Sequence, residues 1–179
     1  SQVAINGEAA VYFSNKVKAI SGGDVQLRFH EPNALVPSLE VWDAVKNGAV
    51  DAGYTTPGYH AGKIPAVSYF TAVPFGPGAS EYHGWMEYGG GQLLKDRIYG
   101  EYGLQALNCI THAPETSGWF RKKITKVEEL KGMKMRFFGL GAMVMSKLGV
   151  STQLLAGGDI YPALEKGVID ATEFSMPTH

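Results

Sequence analysis

The sequence predicts an α/β protein built as two related lobes. Three observations carry that expectation. Hydrophobic spacing switches repeatedly between two and 3.6 residues along the chain, the pattern of alternating strands and helices. The stretch 44–52 is echoed by 163–171, with Ala163 lying 119 residues after Ala44. The 179 residues are 45% hydrophobic with a net charge of −1, an ordinary globular composition that allows one medium domain or two small ones.

Each element has its own local signal. Val11, Phe13 and Val17 lie near helical spacing within 8–19, and Ser21-Gly22-Gly23 supplies glycines suited to a C-cap. Val25, Leu27 and Phe29 alternate with polar residues, predicting a strand stopped by Pro32. Ser38 is placed to cap a helix through Val45 that ends at Asn47-Gly48, and 50–54 reads as a short strand. Prolines and glycines break 57–78 into loops, the kind of segment that often carries sites. Helices are predicted at 80–86 and 92–99, joined by Gly89-Gly90-Gly91, and a buried strand at 104–110. Strands are then expected at 119–121, 133–138, 152–155 and 168–174, with helical segments at 126–130, 141–148 and 159–166 between them. That order implies mainly parallel pairing.

In the echo, Ala44-Val45-Lys46-Asn47-Gly48-Ala49-Val50-Asp51-Ala52 corresponds to Ala163-Leu164-Glu165-Lys166-Gly167-Val168-Ile169-Asp170-Ala171. Each copy reads as a helix end, a glycine where the chain leaves it, and a strand carrying Asp-Ala. Two related α/β lobes imply a cleft between them, beside the carboxyl ends of the strands.

Several function classes lack their signature. The charge balance has no basic excess of the kind that neutralises nucleic-acid phosphates. Cys109 is the sole cysteine, so no intrachain disulfide forms, and beside Ile110 it reads as a buried thiol. The glycine triplet lacks the Gly-Lys-Ser/Thr ending of a phosphate loop, and Gly139-Leu140-Gly141 lacks the third glycine of a dinucleotide loop. The histidines form no zinc-binding spacing, and no run approaches the ~20 apolar residues of a membrane span. The start at Ser1 and the stop after a strand lead us to expect a piece of a longer chain.

Gly118-Trp119-Phe120, Lys131-Gly132-Met133-Lys134-Met135-Arg136 and Gly157-Gly158-Asp159-Ile160-Tyr161-Pro162, running on through Asp170-Ala171-Thr172-Glu173, closely resemble the substrate-binding proteins of tripartite ATP-independent periplasmic (TRAP) transporters. Within that family the chain is most similar to members that bind 2-oxo and related carboxylic acids. Ala72-Val73-Pro74-Phe75-Gly76 and Tyr88-Gly89-Gly90-Gly91 extend the likeness through the first half. The resemblance implies a two-lobed periplasmic binding protein of the type II kind, with residues 1–113 in lobe I (incomplete), 114–174 in lobe II and 175–179 starting the crossover back. It implies extracytoplasmic capture of a small 2-oxo or 2-hydroxy acid, delivery to the membrane permease subunits, no catalysis, no organic cofactor, and a homodimer formed through a long C-terminal helix in some relatives.

The resemblance also distributes roles. Arg136 stands where the family pairs an arginine with the substrate carboxylate, through a planar fork that lysine lacks. Read from the residues alone, a structural ion pair of Arg136 with Glu128, Glu129 or Asp159 is an equal alternative. If the guanidinium serves only the ligand, Arg136→Ala abolishes carboxylate binding and leaves the melting curve intact. Glu115 occupies a position that is often Gln in the 2-oxo-acid binders and helps hold a cation. Glu173 matches the acidic residue after Asp-Ala-Thr, and Phe174 replaces the usual Trp. Glu115, Glu173 and Phe174 are therefore the expected metal site, and two carboxylates facing one cleft call for a Na+ or Ca2+ bridging ligand and protein. Tyr59, His60, Phe75 and Phe174 are candidate pocket walls, with ordinary core packing as the alternative. An α/β enzyme using Glu115 as a base near Arg136 is the rival function; no nucleophile elbow or metal signature accompanies it.

Overall fold

A computed structural model describes residues 4–112 and 115–175. Its sheet is made by the second half of the chain. Four short strands, β1 (Trp119–Phe120), β2 (Lys134–Arg136), β3 (Ser151–Gln153) and β4 (Ala171–Thr172), lie in the order β1-β4-β2-β3. β2 pairs in parallel with both β3 and β4, and β1 runs antiparallel to β4, so the sheet is mixed with a parallel centre. Register places Met135 opposite Thr152 and Ala171, and Arg136 opposite Gln153 and Thr172.

Side chains of a strand alternate between faces. Met133, Met135 and Phe137 share one face and pack with Met145, Val150 and Ala171, while Lys134, Arg136 and Phe138 belong to the other register. Two helices close the connections between parallel strands: α5 (Gly139–Lys147) between β2 and β3, and α6 (Gly157–Glu165) between β3 and β4. The α/β class is as the sequence predicts.

The chain divides into two compact units, bounded as Ser1–Thr55 with Tyr99–Thr111, and Thr56–Ile98 with His112–His179. The helices α3 (Ala79–Tyr88), in the second unit, and α4 (Gly91–Gly100), whose residues up to Ile98 belong to it, flank the predicted glycine joint, where Gly90 has φ 85°. Residues 56–98, expected in lobe I, are thus grouped with the sheet elements. Of the expected crossover at 175–179, residues 176–179 lie outside the described residues.

In the first unit, α1 (Ala4–Ile20) ends as predicted: the Gly23 N–H donates to the Lys18 carbonyl at 2.9 Å, with Gly22 and Gly23 at φ 65° and 96°. Trp42 of α2 (Val41–Lys46) packs against Tyr99 and Tyr102 at centroid distances of 4.8 and 5.5 Å. Three predicted strands of this unit, 25–29, 50–54 and 104–110, are irregular instead. A strand is defined by its ladder, and none of the described residues pairs with them, so Leu27 and Leu107 remain 38% and 66% exposed. For the same reason Cys109 is exposed rather than buried. Ser38 does not cap α2 either. Its N–H and Oγ both donate to Asn33 Oδ1, at 2.9 and 3.0 Å, and a single turn of 3₁₀ helix precedes α2.

The echo survives as geometry. Gly48 and Gly167 have φ 72° and 71°. Asn47 N–H donates to Asp43 O, Gly48 to Val45 O, and Ala49 and Val50 to Ala44 O; the residues 119 further on repeat all four bonds, with Lys166 donating to Pro162, Gly167 to Leu164, and Val168 and Ile169 to Ala163. The copies diverge beyond the turn, where 171–172 enters the sheet and 52 does not.

Candidate functional site

Arg136 ends β2, so its side chain stands at the carboxyl edge of the parallel strands, where open α/β sheets place their ligands. It is 1% exposed. Nε donates to the Leu155 carbonyl at 3.1 Å, and Nη1 donates to both the carbonyl and Oε2 of Glu173 at 2.7 Å. The Glu173 N–H returns a bond of 3.0 Å to the Arg136 carbonyl. Five donors sit on a guanidinium, and these contacts engage those on Nε and Nη1. Phe138 and Phe174 lie against the guanidinium, 5.2 and 5.4 Å from Cζ to the ring centroids.

The acidic residues expected beside Arg136 at 128, 129 and 159 are not its partners. Glu129 instead accepts from the Thr125 N–H and Oγ at 2.9 and 3.1 Å. Because the guanidinium is buried against Glu173, Arg136 has a structural role. The expectation that Arg136→Ala spares the melting curve is therefore corrected: removal would strand a buried carboxyl.

Glu173 is 4% exposed. Burial pushes its carboxyl up to about 8; Arg136 opposes the rise, and a hydrogen bond and charge repulsion from Glu115 add to it. Glu115, itself exposed, is thus within hydrogen-bond reach of Glu173, bringing together two of the three residues expected to hold a cation. Among the described residues no group of three or more His, Cys, Asp and Glu side chains converges. A cation at these carboxylates would complete its shell with carbonyl, ligand or water oxygens, a hard donor set that fits Na+ or Ca2+.

The aromatic candidates separate. Tyr59 packs edge-on against Phe138 at 6.2 Å, one ring removed from Arg136, and Phe174 touches the guanidinium directly. His60 is buried two residues beyond Gly58. Phe75 stands apart, fully exposed at φ 57°, the third residue of a turn closed by Gly76 N–H to Val73 O at 2.9 Å after Pro74. That turn ordinarily takes Gly or Asn there.

Sequence reasoning missed Phe138, Leu155 and Gly58. Phe138 was readable two residues after Arg136 on the same strand register; Leu155 contributes only backbone. Gly58 admits the Phe138 ring: a Cβ there would lie 2.0 Å from Cε2 and 2.2 Å from Cδ2. This close approach fixes segment 57–60 against the element that carries Arg136.

Arg136, Glu173 and Glu115 thus gather beside the carboxyl edge of an α/β sheet. The chain belongs to family 7 of the bacterial extracellular solute-binding proteins, whose family model matches residues 1–179. It is 40% identical over 164 residues to a monocarboxylate 2-oxoacid-binding periplasmic protein of a Nostoc species, covering 92% of this chain and 45% of that one. A TRAP transporter solute-binding protein from Bordetella bronchiseptica, a mixed-occupancy dimer with copurified calcium and picolinate, superposes with a TM-score of 0.95 at 36% identity, over 99% of this chain and 53% of the other. Another from Pseudoalteromonas atlantica, with bound sodium and pyruvate, gives 0.94 at 37% identity over 97% and 53%. The chain spans about half the length of the relatives it matches.

Proposed function

We propose that this chain forms part of a periplasmic receptor that captures a small 2-oxo or 2-hydroxy acid together with Na+ or Ca2+ and delivers it, without chemical change, to a TRAP-type permease. The observation that carries the reading is the placement of Arg136: a buried guanidinium at the carboxyl edge of the parallel strands, held through Nε and Nη1 beside Glu173. Glu173 and Glu115 supply the cation side of the same site, with the Phe174 carbonyl as a further hard donor. The cation would offset the two carboxylates and bridge to the ligand oxygens. The Nostoc relative's 2-oxoacid binding and the sodium with pyruvate in the Pseudoalteromonas protein support this class of ligand. The two-lobed cleft, with a second lobe completed outside this chain, and a homodimer belong to the same reading.

Calorimetry on the full-length protein with pyruvate, longer 2-oxo acids and 2-hydroxy acids, in Na+, in Ca2+ and after chelation, tests it. Tight binding of at least one acid that weakens when the cation is withdrawn is expected. Failure of every carboxylate to bind would overturn the reading, and affinity indifferent to chelation and salt exchange would remove the cation from it.

A further inference from the structure

The end of the sheet opposite Arg136 carries a charge pattern that the ligand site does not use. β2, β3 and β4 are parallel, so their amino ends share one edge. The chain reaches that edge after β1, where the Arg121 N–H donates to the Asp170 carbonyl at 3.4 Å, and is there again where β2 begins at Lys134. Gly132 N–H to Gly149 O at 2.7 Å ties the same edge to the end of α5.

Lysine dominates this end. Arg121, Lys122, Lys123 and Lys126 come after β1, and all are exposed. Lys131 leads into β2 and Lys134 begins it, while Lys147 sits in the last turn of α5 and Lys166 just past the end of α6, all exposed as well. Against these eight stand four acidic residues, Glu128, Glu129, Glu165 and Asp170, a surplus of four positive charges. Two of the four are engaged locally: Glu129 with Thr125, and Asp170 Oδ2 with the Lys134 N–H at 3.0 Å. The whole chain carries −1, so the remainder carries −5. The only large apolar side chain exposed between Arg121 and Lys134 is Val127, 57% exposed.

We infer that this lysine-rich end is a docking surface for an anionic phospholipid headgroup layer. An interface with a folded protein concentrates its energy in a few buried aromatic or arginine anchors. Here seven of the eight cations are lysines, mobile point charges spread over two loops and two helix ends, which suits a diffuse layer of phosphates. Docking by this end leaves the Arg136 edge free, and the inference stands independently of the ligand reading.

Flotation of the full-length protein with vesicles tests it. Binding is expected to vesicles of equal parts phosphatidylglycerol and phosphatidylcholine, not to phosphatidylcholine alone, and is expected to fall steeply with salt. The variant Lys122→Glu/Lys123→Glu/Lys126→Glu should bind more than about a hundredfold more weakly, since each lost cation near such a surface costs about fivefold and each new carboxylate is repelled besides. Lys131→Glu/Lys147→Glu, on different elements, should show a smaller loss in the same direction. Unchanged melting curves and ligand affinity in both variants separate lost docking from lost folding. Equal binding to both vesicle types, no binding, or full binding by the charge-reversed variants would overturn the proposal. So would capture by immobilised polyglutamate with no uptake on anionic vesicles, which would assign the surface to an acidic protein.

Discussion

Replacing Arg136 by alanine should destabilise the fold by an amount that depends on pH. The side chain supplies three hydrogen bonds in the interior, one to Leu155 and two to Glu173, and it opposes the upward push on the Glu173 carboxyl. Glu173 titrates near 8 in the fold, against 4.5 for the free side chain. A raised folded value means that the fold holds the extra proton between these limits, so this group's contribution to stability falls as pH rises from about 4.5 to about 8. At pH 6 the Glu173 carboxyl is neutral in both proteins, and the variant loses mainly hydrogen bonds, about 1–3 kcal/mol. At pH 9 the native pair is ionic, and breaking it costs about 3–5 kcal/mol. At about 2–4 °C per kcal/mol for a chain of this size, the melting temperature should drop by roughly 6–20 °C at pH 9 and by about half that at pH 6. Scanning calorimetry at both pH values reads this out. Adding Glu173→Gln to the variant should bring the pH 9 drop back to the pH 6 value. A drop below about 2 °C at pH 9, or the same drop at both pH values, would refute the reasoning.

Glu115→Gln removes the neighbour that helps raise Glu173, so the Glu173 carboxyl should titrate lower by NMR and Ca2+ should lose affinity relative to Na+. In the unaltered protein, cation affinity measured by calorimetry should rise with pH up to about 8, because the proton on Glu173 competes with the cation. Gly58→Ala drives a methyl into the Phe138 ring; a loss of about 1–3 kcal/mol is expected, with weaker carboxylate binding. Gly48→Ala and Gly167→Ala each impose a left-handed alanine with open space around its Cβ, so denaturant titrations should show matching losses of about 1–2 kcal/mol.

Legibility tracked the distance over which each interaction acts. Helices and the glycines that end them were readable because capping is local, as at Gly22 and Gly23, and the turns around Gly48 and Gly167 agree bond for bond. The strands of the second half were readable because each finds a neighbour in the sheet. Residues 25–29 carry the same alternation without a ladder, and alternation alone cannot tell a paired strand from an extended segment. At the site, Arg136 and Glu173 were legible as residue types, yet their mutual pairing depends on the register that sets Arg136 against Thr172. The Leu155 carbonyl carries no side-chain signal at all, and Gly58 matters only through the shape of a ring about eighty residues away.

The enclosure of Arg136 has a thermodynamic consequence for capture. An arginine side chain carries about 2 kcal/mol of rotamer entropy. Here Leu155, Glu173 and the rings of Phe138 and Phe174 remove that freedom when the sheet forms, before any ligand arrives. On the proposed function, encounter with a carboxylate would not bear the ordering term, and more of the contact energy would be retained as affinity.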